Sequence, residues 1–118
     1  MAVTIYHNPR CSKSRKTLEL IAASGIAHVV VLYLDDTPSA DAIVGLASKL
    51  GFAVADLLRR GESEFKDATD LPDLDDDTSL ALWLAAHPIV LERPIVVDDS
   101  SGKAVIGRPP ENVLRLLP

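Results

Sequence analysis

The opening third of the chain alternates in a way that few folds accommodate. Val3-Thr4-Ile5-Tyr6 reads as a short apolar strand that Asn8-Pro9 interrupts. Ser14 to Ala23 has helical spacing, with Leu18, Ile21 and Ala22 on one face and Ser24-Gly25 closing it. His28 to Leu34 is a β-branched apolar run, which predicts a strand covered on both faces. Strand, helix and strand in immediate succession make a βαβ unit, and such a unit implies parallel pairing through a right-handed crossover.

The remainder predicts helices and then a hairpin. Ser39 is placed to cap a helix in which Ile43, Leu46, Ala47 and Leu50 share a face and Gly51 is the stop. Val54 to Arg59 reads as a short helix ended by Gly61. Glu62 to Asp77 is acidic without a period, and reads as a solvated loop ending in an N-cap. Its aspartates lack the glycine and spaced glutamate of a calcium loop. Ser79 to Ala86 is helical, burying Leu80, Trp83 and Leu84, and His87-Pro88 stops it. Pro94 to Val97 and Lys103 to Ile106 flank Asp98-Asp99-Ser100-Ser101-Gly102, a β-hairpin pattern. Pro109-Pro110 precedes a last helix, Glu111 to Leu117. A hairpin added to a βαβ unit makes the sheet mixed, so periodicity specifies a small α/β domain.

With 118 residues, residues 1–118 are expected to form a single domain around one core. Twelve basic against 17 acidic residues leave a net charge of −5, which argues against binding nucleic acid through a general basic surface. One cysteine makes no internal disulfide, so nothing marks an oxidising compartment. There is no signal-peptide pattern and no apolar run near the roughly 20 residues that span a bilayer. A cytoplasmic protein without membrane contact is expected, and nothing demands more than a monomer.

That one cysteine, Cys11, lies where the first strand ends and the first helix begins. Backbone N–H groups and the helix dipole there favour a thiolate, and Arg10, Lys13 and Arg15 add positive charge. Other candidates for the same site are His7, before the cysteine loop; Arg59, closing a predicted short helix; Arg93, before a strand; and Arg108, after one. Guanidinium groups offer bidentate donors and stay charged, which suits a tetrahedral oxyanion. Taken singly, Arg93 and Arg108 would be surface ion-pair partners of little worth, and Arg59 a partner for the last carbonyls of its helix. Arg60 is equally placed for either of the roles open to Arg59. His28 and His87 have no metal-ligand spacing, no nucleophile elbow supports a serine triad, and the glycines form neither GxGxxG nor a Walker loop.

The stretch Ile5-Tyr6-His7-Asn8-Pro9-Arg10-Cys11-Ser12-Lys13-Ser14-Arg15 resembles the active-site loop of glutaredoxin-coupled arsenate reductases, the ArsC type. His87 to Val97, Leu57-Leu58-Arg59-Arg60 and Gly107-Arg108-Pro109 resemble the family's other motifs, so the likeness covers essentially the whole chain. It implies a thioredoxin-like fold with an inserted helical region and a cis peptide bond at Arg93–Pro94. It implies Cys11 as nucleophile, His7 and Ser14 as groups that help to lower the thiol pKa, and Arg59, Arg93 and Arg108 as the arsenate ligands. No bound cofactor is implied: glutathione is a co-substrate and glutaredoxin a partner. Two other readings stand beside this one. The first is a glutathione-linked thiol enzyme with another substrate. The second is a regulatory or binding protein of the same fold; relatives of that kind commonly carry a CxxC pair, whereas Ser14 stands three after Cys11 here. A single cysteine itself calls for an external thiol to complete any redox cycle.

Overall fold

The computed structural model describes residues 1–118, and the chain divides into two compact units. The first comprises Met1–Asp36 and Arg93–Pro118, the second Thr37–Glu92.

The first unit is a four-stranded mixed sheet with a helix. β1 (Ala2–His7), α1 (Ser12–Ala23) and β2 (Ala27–Leu32) form the expected parallel βαβ unit, with His7 level with Leu32 in the register. β3 (Ile95–Asp98) pairs antiparallel with β1, and β4 (Ala104–Ile106) antiparallel with β3, giving the order β2-β1-β3-β4. The hairpin turn is held by the Asp98 side chain, which accepts from Ser100 N–H and Ser101 Oγ–H, and Gly102 supplies the left-handed residue at φ 75°. A 3₁₀ segment at Pro110–Arg115 replaces the α-helix expected over 111–117; Pro109 and Pro110, lacking N–H groups, open it.

The core of this unit is Val3 and Ile5 of β1, Ile21 of α1, Val96 of β3 and Val113, all fully buried. Leu18, Leu20, Ile26, Leu116 and Leu117 pack around them. The buried stripe of α1 differs from the predicted one: Ser14, Thr17 and Ile21 are buried, and Ala22 is exposed. Small polar residues at Ser14 and Thr17 let the start of the helix come close to the strand ends.

A second correction concerns β2. It is an edge strand, bonded only to β1, and Val29 and Leu32 are 57% and 41% exposed. A β-branched run encodes strand geometry, but the elements that cover a strand lie elsewhere in the chain.

The second unit is helical. Ser39 Oγ caps α2 (Ala40–Leu50) by accepting from Ala42 N–H, and Gly51 ends it at φ 72°. Only Val54–Leu57 is helical in the next segment, as a 3₁₀ turn; Leu58 is extended and bridges to Leu91. Arg59 therefore closes no helix. The acidic stretch is tied down at several points. It contains a single turn, α3 (Ser63–Lys66), and Asp76 caps α4 (Asp77–Ala86) by accepting from Ser79 N–H and Oγ–H. Trp83 Nε1 donates to Asp70 at 3.0 Å and stacks on His87 at 4.2 Å, while His87 lies 3.2 Å from Glu64. No helix is long and apolar enough to cross a membrane.

Full burial makes Ile21 a sensitive probe of this architecture. Ile21→Ala should lower unfolding free energy by about 2–5 kcal/mol in urea titrations, whereas Val29→Ala on the exposed edge should stay within about 0.5 kcal/mol. Comparable losses at the two positions would contradict the assigned core.

Candidate active site

The turn from β1 into α1 is built by hydrogen bonds among its own residues. Asn8 is buried, and its carbonyl accepts from Cys11 N–H at 3.0 Å. Its side-chain oxygen accepts from Arg10 N–H at 3.0 Å, the Asx-turn geometry that favours asparagine before proline. Its own N–H donates to Ser14 Oγ at 3.1 Å, and Ser14 Oγ lies 2.6 Å from His7 Nδ1. The hydroxyl of Ser14 thus ties the last residue of β1 to the first turn of α1. Arg15 adds a bond from Nη1 to Pro9 O at 2.9 Å. Asn8 was not singled out by sequence; the Asn-Pro pair marked a turn without indicating that its amide would organise one.

Cys11 is the N-cap of α1, in extended conformation at φ −92°, ψ 121°, and the helix starts at Ser12, two residues earlier than its periodicity suggests. Partial burial of the sulfur opposes ionisation. The net displacement of its pKa is nevertheless downward. Ser14 N–H, the charge of Arg108, Lys13 N–H and the charge of Arg93 together outweigh burial. Arg108 Nη2 lies 3.4 Å from Cys11 Sγ, within range of a hydrogen bond to sulfur.

Arg108 is aimed by a chain of contacts. Its Nε donates to Arg93 O at 2.9 Å, and its carbonyl accepts from Asn112 Nδ2 at 3.0 Å. Arg93 is 6% exposed, at the entry to β3. Gly107 N–H bonds Pro94 O at 2.9 Å, joining the two arginine-bearing segments. Both Arg93–Pro94 and Arg108–Pro109 are cis; the first agrees with the family resemblance and the second was not anticipated. Gly107 faces α1 so closely that a Cβ there would strike Thr17 Oγ1 and come within 2.7 Å of Pro94 Cγ.

His7 is buried, and burial, reinforced by the charge of Arg15, lowers its pKa and favours the neutral ring. With a neutral ring, both short contacts of Ser14 are satisfied when Oγ accepts from Asn8 N–H and donates to Nδ1, which leaves the ring proton on Nε2. Ser14 then acts on Cys11 through its backbone N–H.

Five candidates, Cys11, His7, Ser14, Arg93 and Arg108, therefore assemble in the first unit at the start of α1. Arg59 belongs to the second unit. Its Nε lies 3.5 Å from Glu62 and its Nη1 3.6 Å from Glu92. Arg60 is 6.0 Å over the ring of Phe65. No group of three or more His, Cys, Asp or Glu side chains is arranged to hold a metal ion.

A β2-β1-β3-β4 mixed sheet with a cysteine capping the helix after its first strand defines a thioredoxin-like domain, and in sequence the helical second unit falls between β2 and β3. The chain belongs to the ArsC family, whose sequence profile matches residues 6–116. It is 44% identical to an arsenate reductase of Neisseria meningitidis over 117 residues, covering 98% of this chain and 97% of that one. It is 41% identical to an Escherichia coli arsenate reductase over 116 residues, covering 98% of this chain and 81% of that one. The solved structure of an arsenate reductase from Vibrio cholerae, 43% identical, superposes with a TM-score of 0.86 over 99% of this chain and 98% of that one.

Two measurements test the site. The pH at which Cys11 alkylation by iodoacetamide reaches half its maximal rate should fall below the ordinary thiol value near ~8.5, and Arg108→Ala should move it upward; no movement would mean that the guanidinium does not act on the sulfur. Gly107→Ala should cost about 1–3 kcal/mol of stability through overpacking and raise the same alkylation midpoint by displacing Arg108.

Proposed function

We propose that this protein reduces arsenate to arsenite through a nucleophilic Cys11, using glutathione as the electron donor and glutaredoxin to restore the thiol. The observation that carries the reading is the Arg108 guanidinium 3.4 Å from a cysteine whose pKa is displaced downward. It gives one small volume both a nucleophile and a fixed positive charge for a tetrahedral oxyanion. Family membership and the named relatives support arsenate as that oxyanion.

An ordinary thiol is only about 3% thiolate at pH 7. Lowering the pKa of Cys11 raises that fraction, so the attacking species is present without a general base. The thiolate attacks As(V), an S–As bond forms, and one arsenate oxygen leaves as water after protonation. Arg93 and Arg108 neutralise the oxygens and hold the arsenic close to sulfur. A glutathione thiolate then attacks Cys11 Sγ. A disulfide forms, the S–As bond breaks, and its electron pair passes to arsenic, which leaves as arsenite, As(III). Glutaredoxin takes up the glutathionyl group from the mixed disulfide and frees Cys11. Ser14 lowers the thiol pKa directly through its backbone N–H, and the His7 and Ser14 side chains act indirectly by holding the turn. The cycle uses residues 1–118 as one arsenate-reductase-like domain acting as a monomer, with no prosthetic group.

The test is arsenate-dependent NADPH oxidation coupled through glutathione reductase, glutathione and glutaredoxin. Cys11→Ser should abolish the signal. Arg93→Ala and Arg108→Ala should each lower kcat/KM for arsenate by about 10²-fold or more, the scale of losing one donor to a developing oxyanion, whereas Arg60→Ala should have little effect. No turnover in the wild-type protein, or equal small effects of all three arginine substitutions, would overturn the assignment.

A further inference from the structure

β4 is a short edge strand bonded only to β3, and Arg108 stands two residues past its end. Gly107 N–H still reaches Pro94 O, but Pro109 and Pro110 follow and have no N–H to give. The group that meets the Arg108 backbone from beyond these prolines is the side chain of Asn112. Its Nδ2 donates to Ile106 O at 3.2 Å and to Arg108 O at 3.0 Å. A side-chain amide nitrogen carries two N–H groups, and one is directed at each carbonyl. Ile106 O also accepts from Arg108 N–H at 2.9 Å. Asn112 therefore holds Arg108 directly through its carbonyl and indirectly through its N–H.

Asn112 is itself fixed. Its N–H donates to Pro109 O at 3.0 Å, and the next residue, Val113, is fully buried with Val3, Ile5, Ile21 and Val96. A line of contacts thus runs from the core to the sulfur. Val113 anchors Asn112, Asn112 holds the Arg108 backbone, and Arg108 Nη2 meets Cys11 Sγ at 3.4 Å. An arginine side chain is long, so a small tilt of its peptide moves the guanidinium much further than the Cα. A misplacement of about 1 Å at a reacting centre can cost on the order of 10²-fold in rate. The residue type matters as well: aspartate would turn carboxylate oxygens toward the two carbonyls, and leucine has no donor. We infer that Asn112 is a positioning residue for the thiol chemistry, its amide setting the direction of the Arg108 side chain and so the charge that the Cys11 sulfur meets. The inference rests on the reading in which Arg108 acts on Cys11, and adds a residue that acts only through Arg108.

The pH profile of Cys11 alkylation by iodoacetamide tests it, without arsenate. Asn112→Leu and Asn112→Ala remove the donors with and without keeping the volume. Each should raise the alkylation midpoint by at least about half of the shift that Arg108→Ala produces, and neither should raise it further when combined with Arg108→Ala, the non-additivity of residues that act as one unit. Leu116→Ala, which loosens the same 3₁₀ segment and leaves the amide in place, should not move the midpoint. An unmoved midpoint in both Asn112 variants, a shift that adds in full to that of Arg108→Ala, or an equal shift in Leu116→Ala would overturn the inference. Failure of arsenate turnover beside the expected pattern would refute the substrate and leave Asn112 assigned; turnover with midpoints unmoved in the Asn112 variants would do the reverse.

Discussion

The hydroxyl of Ser14 is the contact on which the site depends. Lodged between Asn8 N–H and His7 Nδ1, it fastens the end of a buried strand to the first turn of a helix. Burial of Ser14 makes those bonds matter, because an unsatisfied hydroxyl and amide in that position would each carry a desolvation penalty. With the turn closed, Cys11 can only be the residue that caps α1, and the free N–H groups of that helix face its sulfur. A flexible loop would supply the same residues without aiming them.

The arginines reach this sulfur through the hairpin that follows the insertion. β3 pairs with β1, so Arg93 enters beside the cysteine turn; β4 pairs with β3, so Arg108 returns to the same end. Gly107 lets the two segments close against Thr17. A thiolate has to be stabilised against its own partial burial. Two adjacent backbone donors and two guanidinium charges accomplish this, and the guanidinium groups come from segments far from those donors in the chain.

Much of the element order was legible beforehand, since Ser39 and Gly51 act through their immediate neighbours and Asn-Pro and Gly102 mark turns by local geometry. The misreadings share a cause. β2 was expected to be covered on both faces, Ala22 to be buried, and Arg59 to close a helix. Each depends on what packs against the segment rather than on its own residues. The 3₁₀ geometry of Val54–Leu57 and Pro110–Arg115 was equally out of reach, because i+3 and i+4 bonding differ little in apolar spacing. The packing roles of Asn8 and Gly107 carry no local signal either: an amide that organises a turn and a glycine that admits a neighbouring helix look ordinary in one dimension.

The sequence by itself determined that this is a small α/β protein with a single thiol at a strand-to-helix junction, and that any redox cycle must borrow its second thiol. Those properties follow from local periodicity and from a count of one. Tertiary structure alone decided that Arg108 contacts the sulfur and that Arg93 adds its charge. Strand order sets which side of a sheet each loop occupies, and strand order depends on pairing between segments far apart in the chain.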